Sequence, residues 1–436
     1  MPEPAPLDRL AAALVAGETS AADLAAGFLD RAGSGGATFI AIDAQQVRRE
    51  AEASDARRRA GRALGPLDGV PVAVKDNIDV AGYATTNGSL CDGAEAMQAD
   101  APVIAALRGA GMVVAGKTNL SEFAFSGLGL NPHFGTPLLR RHTPPRVPGG
   151  SSAGSAVAVA EGLVPLALGT DTAGSLRVPP AFTGTVGLRA SRGRYAMRGV
   201  RPLAQSFDAL GAIAAHPGDL RWFDALARGL GAPAPVGDEQ VDILVDRAFT
   251  DQCGMTEEVA RGFALFTERL AGAGAAPQEA RLSALAETAA LLTAEGWPGG
   301  AEAAAEHAVV LAGPGRERID RRVVTRLEAG ARMGTDRLDH IMSRRAPLQR
   351  LLAGELGGRI AIMPTVRHVP PLLSAVAEDA DAFARINLDT LALTMIGSFL
   401  DTPAVALPAG ETPEGLTVSV TLFGAPGQDA ARRAPA

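Results

Sequence analysis

Lysine is nearly absent from this 436-residue chain: only Lys75 and Lys117 occur among its 41 basic residues, and arginine supplies the rest. Arginine keeps its proton inside a protein, whereas a buried lysine can become a neutral amine, so each lysine is a candidate for chemistry that arginine cannot do. Cysteine is as scarce. Cys91 and Cys253 cannot build a disulfide framework and fit a reducing, cytoplasmic setting. No run of about 18 or more uncharged apolar residues occurs, so no membrane span is expected. The opening MPEPAPLDRLAAALVAGETS lacks the cationic start and cleavage site of a secretory signal. Positive charge is not in excess either: the formal net charge is −7, which argues against a nucleic-acid-binding face.

Several catalytic patterns are missing too. The six histidines, His133, His142, His216, His307, His340 and His368, form no HxH or HExxH pair, so neither a metal nor another cofactor is expected. No serine sits in a GxSxG elbow, and the Gly/Ser-rich stretch lacks the GK[ST] ending of a nucleotide loop.

What remains is 47% hydrophobic and 20% charged, a globular composition in a chain long enough to bury a large core without staples. The expectation is one domain over residues 1–436. Two helices are expected within residues 7–32, with Ser20 capping the second and Asp23 in its first turn. A polar helix follows at 47–63. GVPVAVKDNIDV reads as a buried strand entering a turn, and DAPVIAALRGAGMVVAGKTN as helix, turn and strand. This alternation predicts an α/β fold with a central mixed sheet sandwiched by helices. A helix is expected after Ser155, then a strand at VPLALG. Residues 220–355 are expected to add a variable helical flank. RIAIMPTV, TPAVALPAG and GLTVSVTLFG return to the sheet, with short linkers or tails at 231–236 and 424–436.

Two Gly/Ser turns bracket that small-residue helix and strand: Gly149-Gly150-Ser151-Ser152-Ala153-Gly154-Ser155 and Thr170-Asp171-Thr172-Ala173-Gly174-Ser175. Glycine beside serine permits tight backbone and close approach of a ligand. Backbone N–H groups aimed inward can hold negative charge developing on a carbonyl oxygen. The same pattern also fits two ordinary loops, or an anion nest at a helix start. A serine nucleophile needs a base, and the histidines offer no signal. Lys75 follows the apolar run VPVAV, where desolvation would lower its pKa into a usable range.

These segments resemble the amidase signature family: GVPVAVKDNIDVAG, GKTNLSEFAFSG, PGGSSAGSAVAVAEGLVPLALGTDTAGSLRVPPAFTGTVGLRAS, PTVRHVPP and DTPAVALPAG with GLTVSVTLFGAPGQD. The resemblance covers about residues 5–427, loosely across the helical flank. It implies an amidohydrolase that cleaves a carboxamide C–N bond through an acyl-enzyme. Ser175 would be the nucleophile, Ser151 a bridging serine on a cis peptide, and Lys75 the base. The backbone N–H groups of Thr172, Ala173, Gly174 and Ser175 would form the oxyanion hole. Asp171 and Arg177 would brace the turn, or Arg177 would hold a substrate carboxylate. Ser152 and Ser155 would bond the loop or cap the helix, and Lys117 would be structural. Tyr83, Phe125 and Phe134 are read as core. Ala173 stands where the family most often has glycine, Thr183 where it often has cysteine, and the ending AARRAPA departs from the family's final helix.

The partner implied is a small-molecule amide, with no direct nucleic-acid or membrane contact, and a homodimer is left open. A second reading is the A subunit (glutaminase) of a glutamine-dependent tRNA amidotransferase complex, which would bring partner subunits. A third is a non-catalytic binding protein.

Overall fold

The computed structural model describes residues 5–33, 36–91, 95–235 and 241–429. The expected linker at 231–236 is described only as far as residue 235, and the AARRAPA ending lies outside the described residues. Among the described residues eleven strands form one mixed sheet in the order β1-β3-β2-β4-β6-β5-β10-β11-β9-β7-β8. They are β1 (Phe39–Ala41), β2 (Pro71–Lys75), β3 (Val113–Thr118), β4 (Leu166–Asp171), β5 (Val186–Arg189), β6 (Ala209–Ala214), β7 (Ile243–Val245), β8 (Gln278–Glu279), β9 (Ile360–Pro364), β10 (Ala404–Glu411) and β11 (Thr417–Phe423).

β2 pairs in parallel with both β3 and β4. β2 and β4 are buried along their whole length, as continuous apolar runs should be when helices cover both faces. On one side Val72, Val74, Leu166, Leu168 and Leu210 share a core with Leu7, Ile104, Leu107 and Phe223, which come from the helices Leu7–Ala16, Pro102–Gly109 and Pro217–Ala227. On the other side Ala73, Ala167 and Ile213 pack against Phe28, Val47, Ala156 and Val159, from the helices Ala21–Gly33, Ala44–Arg59 and Ala153–Ala160. Period-two alternation along each strand sorts the side chains between the two cores. The expected mixed sheet between helical layers is therefore present.

The Ser20 hydroxyl accepts from the Asp23 N–H (3.0 Å), and the Asp23 carboxylate accepts from the Ser20 N–H (3.1 Å). That reciprocal pair is the expected cap. The polar helix begins earlier than expected because Asp43 caps it, its carboxylate accepting from the Gln46 N–H.

Two expectations need correction. The small-residue helix starts at Ala153, so Ser155 lies inside it and does not precede it. With alanine and glycine at its start, the helix presses against the sheet, and neither Ser152 nor Ser155 caps it. The Ser152 hydroxyl donates to the Thr170 carbonyl (3.3 Å) and the Ser155 hydroxyl to the Leu168 carbonyl (2.9 Å), so both serines fasten the helix to β4. The flank at 220–355 is not purely helical either: β7 and β8 lie within it and extend the sheet beyond β9. Its helices Ser283–Glu295 and Thr335–Leu356 join Ala380–Phe399 over that end of the sheet. Among the described residues no helix is long and apolar enough to cross a membrane.

Candidate active site

β2 and β4 run parallel, so their C-terminal ends reach the same edge of the sheet, and each ends on a charged residue, Lys75 and Asp171. Against that edge lies the loop before the small-residue helix. Its backbone can approach closely because glycines occupy the tight points. A Cβ at Gly150 would stand 2.5 Å from the Ser126 carbonyl and 2.5 Å from the Gly129 nitrogen, and one at Gly169 would stand 2.8 Å from Ser152 Oγ. The Gly150–Ser151 peptide is cis, as the family resemblance implies.

The sequence positions 75, 151 and 175 converge. Lys75 Nζ lies 2.8 Å from Ser151 Oγ, and Ser151 Oγ lies 3.0 Å from Ser175 Oγ. Lys75 and Ser151 are fully buried, whereas Ser175 is 6% exposed, so the Ser175 hydroxyl is the end of this row nearest solvent. Burial disfavours the ammonium and pulls the Lys75 pKa down to about 7, with the charges of Asp171 and Asp208 working against that fall.

The turn between β4 and the helix Val178–Thr183 carries Ser175. Among the described residues, no oxygen accepts a hydrogen bond from the backbone N–H of Thr172, Ala173, Gly174 or Ser175. Gly174 has φ +145°, and a Cβ there would collide with Thr394. The turn is held from beneath. Asp171 accepts from the Leu176 N–H (3.0 Å) and from Arg177 Nε (3.0 Å) and Nη2 (2.9 Å). Arg177 also donates to the Thr394 carbonyl (2.8 Å) and to Ser398 Oγ (2.7 Å), and the Thr394 hydroxyl donates to the Ala173 carbonyl (2.6 Å). Burial alone would push the Asp171 carboxyl up, but the guanidiniums of Arg177 and Arg189 hold it below the usual range. Arg177 is fully buried with its fork spent on Asp171 and helix Ala380–Phe399. That placement leaves no fork free for a substrate carboxylate.

Lys117 stands apart from the relay. It is fully buried and ion-paired with Asp76 at 2.8 Å, and it donates to the Ala84 carbonyl and Thr85 Oγ1, tying β3 to the loop after β2. Tyr83 and Phe125 are buried, but Phe134 is half-buried and belongs to no core cluster. Thr183, in the frequent cysteine position, bonds Thr185 and the Pro179 carbonyl.

Sequence reading missed Thr170, Asn77, Asp208 and Arg326. Thr170 Oγ1 is 2.9 Å from Lys75 Nζ and 2.9 Å from Asn77 Nδ2. Asp208 precedes β6, whose antiparallel register sets Ala209 opposite Asp171 and so brings Asp208 beside Thr172, with Oδ1 2.5 Å from the threonine hydroxyl. No local pattern marks it, since the pairing is tertiary. Burial raises the Asp208 pKa to about 6, with the Thr172 hydroxyl and the Leu203 and Ala204 N–H groups opposing that rise. Two cavities adjoin these supports. One of about 770 Å³ is lined by Met395 and Ile396, which follow Thr394, and by Leu292, Arg367 and His368. The other, of about 390 Å³, is lined by Phe125, Trp297 and Arg326.

A model of the amidase family matches residues 27–431. The chain belongs to the amidase family. It is 35% identical to a 2-amino-5-chloromuconic acid deaminase of Comamonas testosteroni, over 89% of this chain and 84% of that protein. A solved amidase structure superposes with a TM-score of 0.86 and 29% identity, covering 98% of this chain and 96% of its own. The A subunit of the glutamyl-tRNA(Gln) amidotransferase from Symbiobacterium thermophilum is 44% identical, over 50% of this chain and 46% of that protein. The amidase is an amide-hydrolysing enzyme that cleaves C–N bonds.

Because the Asp208 carboxylate holds the Lys75 pKa up, Asp208→Asn should lower it further. With two lysines in the chain, lysine labelled with ¹³C at Cε gives two signals whose titrations can be followed by NMR. The Lys75 midpoint is expected to fall in the variant, and an unmoved or raised midpoint would contradict the assigned electrostatics.

Proposed function

We propose that Ser175, Ser151 and Lys75 form the catalytic relay of this amidase. The unbroken path of 2.8 and 3.0 Å from a neutralised amine to the Ser175 hydroxyl, its least buried end, carries the reading. Ser175 Oγ attacks the amide carbon and its proton passes to Ser151, whose own proton passes to Lys75. The carbonyl oxygen gains negative charge beside the unpartnered N–H groups of residues 172–175, which are preorganised to receive it. Collapse breaks the C–N bond, and the leaving ammonia or amine takes the proton back through Ser151. Water then hydrolyses the acyl-serine by the same path, leaving a carboxylic acid and the regenerated relay. Asp171 and Arg177 brace the oxyanion turn, and Ser152 fixes the loop to β4.

A substrate bearing a carboxylate fits the site's surroundings. Arg326 donates to the Phe125 carbonyl (2.7 Å) and lies 4.3 Å from the Phe125 ring centroid. Among the described residues Arg326 forms no ion pair, and burial lowers its pKa to about 10. A half-buried guanidinium without a counter-ion, facing a cavity that Phe125 and Trp297 also line, favours an incoming anion. Phe125 begins the segment whose Gly127 carbonyl accepts from the Gly150 N–H, next to Ser151. The deaminase relative is named for a muconic acid, which supports the same reading.

The second reading, as the glutaminase component of an amidotransferase, rests on relatives such as the Symbiobacterium protein, matched over about half of either chain. The deaminase relative matches over 89% of this chain, which favours a free-standing hydrolase. A native mass showing this chain alone or as a homo-oligomer, with ammonia release from simple amides, supports that reading. An obligate co-purifying partner would favour the other.

Ser175→Ala and Lys75→Arg should each reduce turnover about 10³-fold or more with unchanged circular dichroism. An active Lys75→Arg protein would remove lysine as the base, because arginine cannot accept the proton. Protonated Lys75 cannot act, so kcat/KM should fall as the pH drops through about 7. Arg326→Met should cost about 10- to 100-fold in kcat/KM for amides carrying a carboxylate, the worth of one charge-assisted contact, while sparing neutral amides. Equal loss on both would rule out anion recognition by Arg326.

A further inference from the structure

The relay needs more than an uncharged amine: the nitrogen lone pair of Lys75 must face Ser151. A neutral amine carries two N–H bonds and one lone pair, and rotation about Cε–Nζ offers three staggered orientations. An amine that turned an N–H toward Ser151 would be uncharged and still unable to receive its proton.

Nζ has two neighbours within hydrogen-bond distance, Ser151 Oγ at 2.8 Å and Thr170 Oγ1 at 2.9 Å. Thr170 precedes the last residue of β4, so the rigid parallel neighbour of β2 fixes its position. Its hydroxyl is itself held by Asn77 Nδ2 at 2.9 Å, and Asn77 lies two residues past Lys75, 1% exposed. A donor from Asn77 occupies one lone pair of the threonine oxygen and leaves the other for an N–H of Lys75. With the amide turned over, Asn77 Oδ1, which has no partner as it stands, would take the threonine hydroxyl proton and again leave the oxygen to accept from the amine. Both orientations of Asn77 let Thr170 accept from Lys75.

We propose that Thr170, held by Asn77, is a positioning residue for the general base: it takes one N–H of the Lys75 amine and so aims the lone pair at Ser151. The inference rests on the relay proposed above. It adds that the base is oriented by a residue of β4 that lies outside the path from Ser175 through Ser151 to Lys75. Orientation of this kind acts on kcat and not on binding. It also leaves a mark on acidity. The ammonium form uses Thr170 as an acceptor, and removing an acceptor from the charged form lowers its pKa.

The test is Thr170→Val, which keeps the branched shape and deletes the acceptor, with Thr170→Ser restoring it and Asn77→Ala loosening it. Thr170→Val should lower kcat about 10- to 100-fold with KM within about twofold, and should move both the acid limb and the NMR midpoint of Lys75 to lower pH. Thr170→Ser should recover most of kcat and the wild-type limb, and Asn77→Ala should fall between the two. A merely structural threonine would change thermal stability and leave limb and midpoint in place. That result, or a serine variant as impaired as valine, overturns the proposal. Should valine not fold, Thr170→Ala carries the same expectations. The NMR midpoint is read without turnover, so it tests the anchor separately from the relay, whose own failure would appear as an active Lys75→Arg enzyme.

Discussion

Taking an amine out of water removes the solvation that keeps it charged, and at the end of β2 that cost is set against two fixed carboxylates. The balance leaves the Lys75 pKa at about 7. Apolar strand residues on both sides of the sheet make the site dry, and the parallel pairing of β2 with β4 brings Thr170 and Asp171 alongside the amine. A better-solvated lysine would stay protonated, and one with a closer counter-ion would too. Lys117 differs within the same fold: burial lowers its pKa too, but the Asp76 carboxylate at 2.8 Å works against that fall and makes the residue a tether.

The charges that balance Lys75 are also the girders of the turn that carries Ser175. Asp171 is shared between Arg177 and Arg189, and Arg189 continues to Asp401 at 3.1 Å. Buried ionic groups contribute little net stability but are costly to break singly, so the network fixes the Ser175 turn in one geometry. Thr394 and Ser398, four residues apart on one helical face, fasten that turn to the helix Ala380–Phe399. Asp208 clamps the turn from the other side through Thr172. One carboxylate thereby supports the backbone of the turn while another steadies it, and both act on the Lys75 amine.

Much of this was legible in the sequence because it is local or compositional. The two Gly/Ser turns announced close backbone approach, the near-absence of lysine drew attention to positions 75 and 117, and the apolar run before Lys75 announced a buried strand that favoured position 75. The start of the small-residue helix was misread because the Ser152 and Ser155 hydroxyls look like caps in one dimension, yet they bond β4 in three. β7 and β8 were hidden within helical surroundings because each has no more than three residues. Thr170, Asn77, Asp208 and Arg326 could not be found by pattern. Their meaning depends on strand register, on a side chain two residues past a strand end, or on which cation lacks a partner, and these are tertiary facts.

The most direct test of the buried-amine mechanism is the NMR titration of Lys75 in the wild-type protein labelled at lysine Cε, with Lys117→Arg assigning the two signals. Lys75 is expected to lose its proton near pH 7. A Lys75 signal that stays charged until the ordinary lysine range, near 10.4, would contradict it.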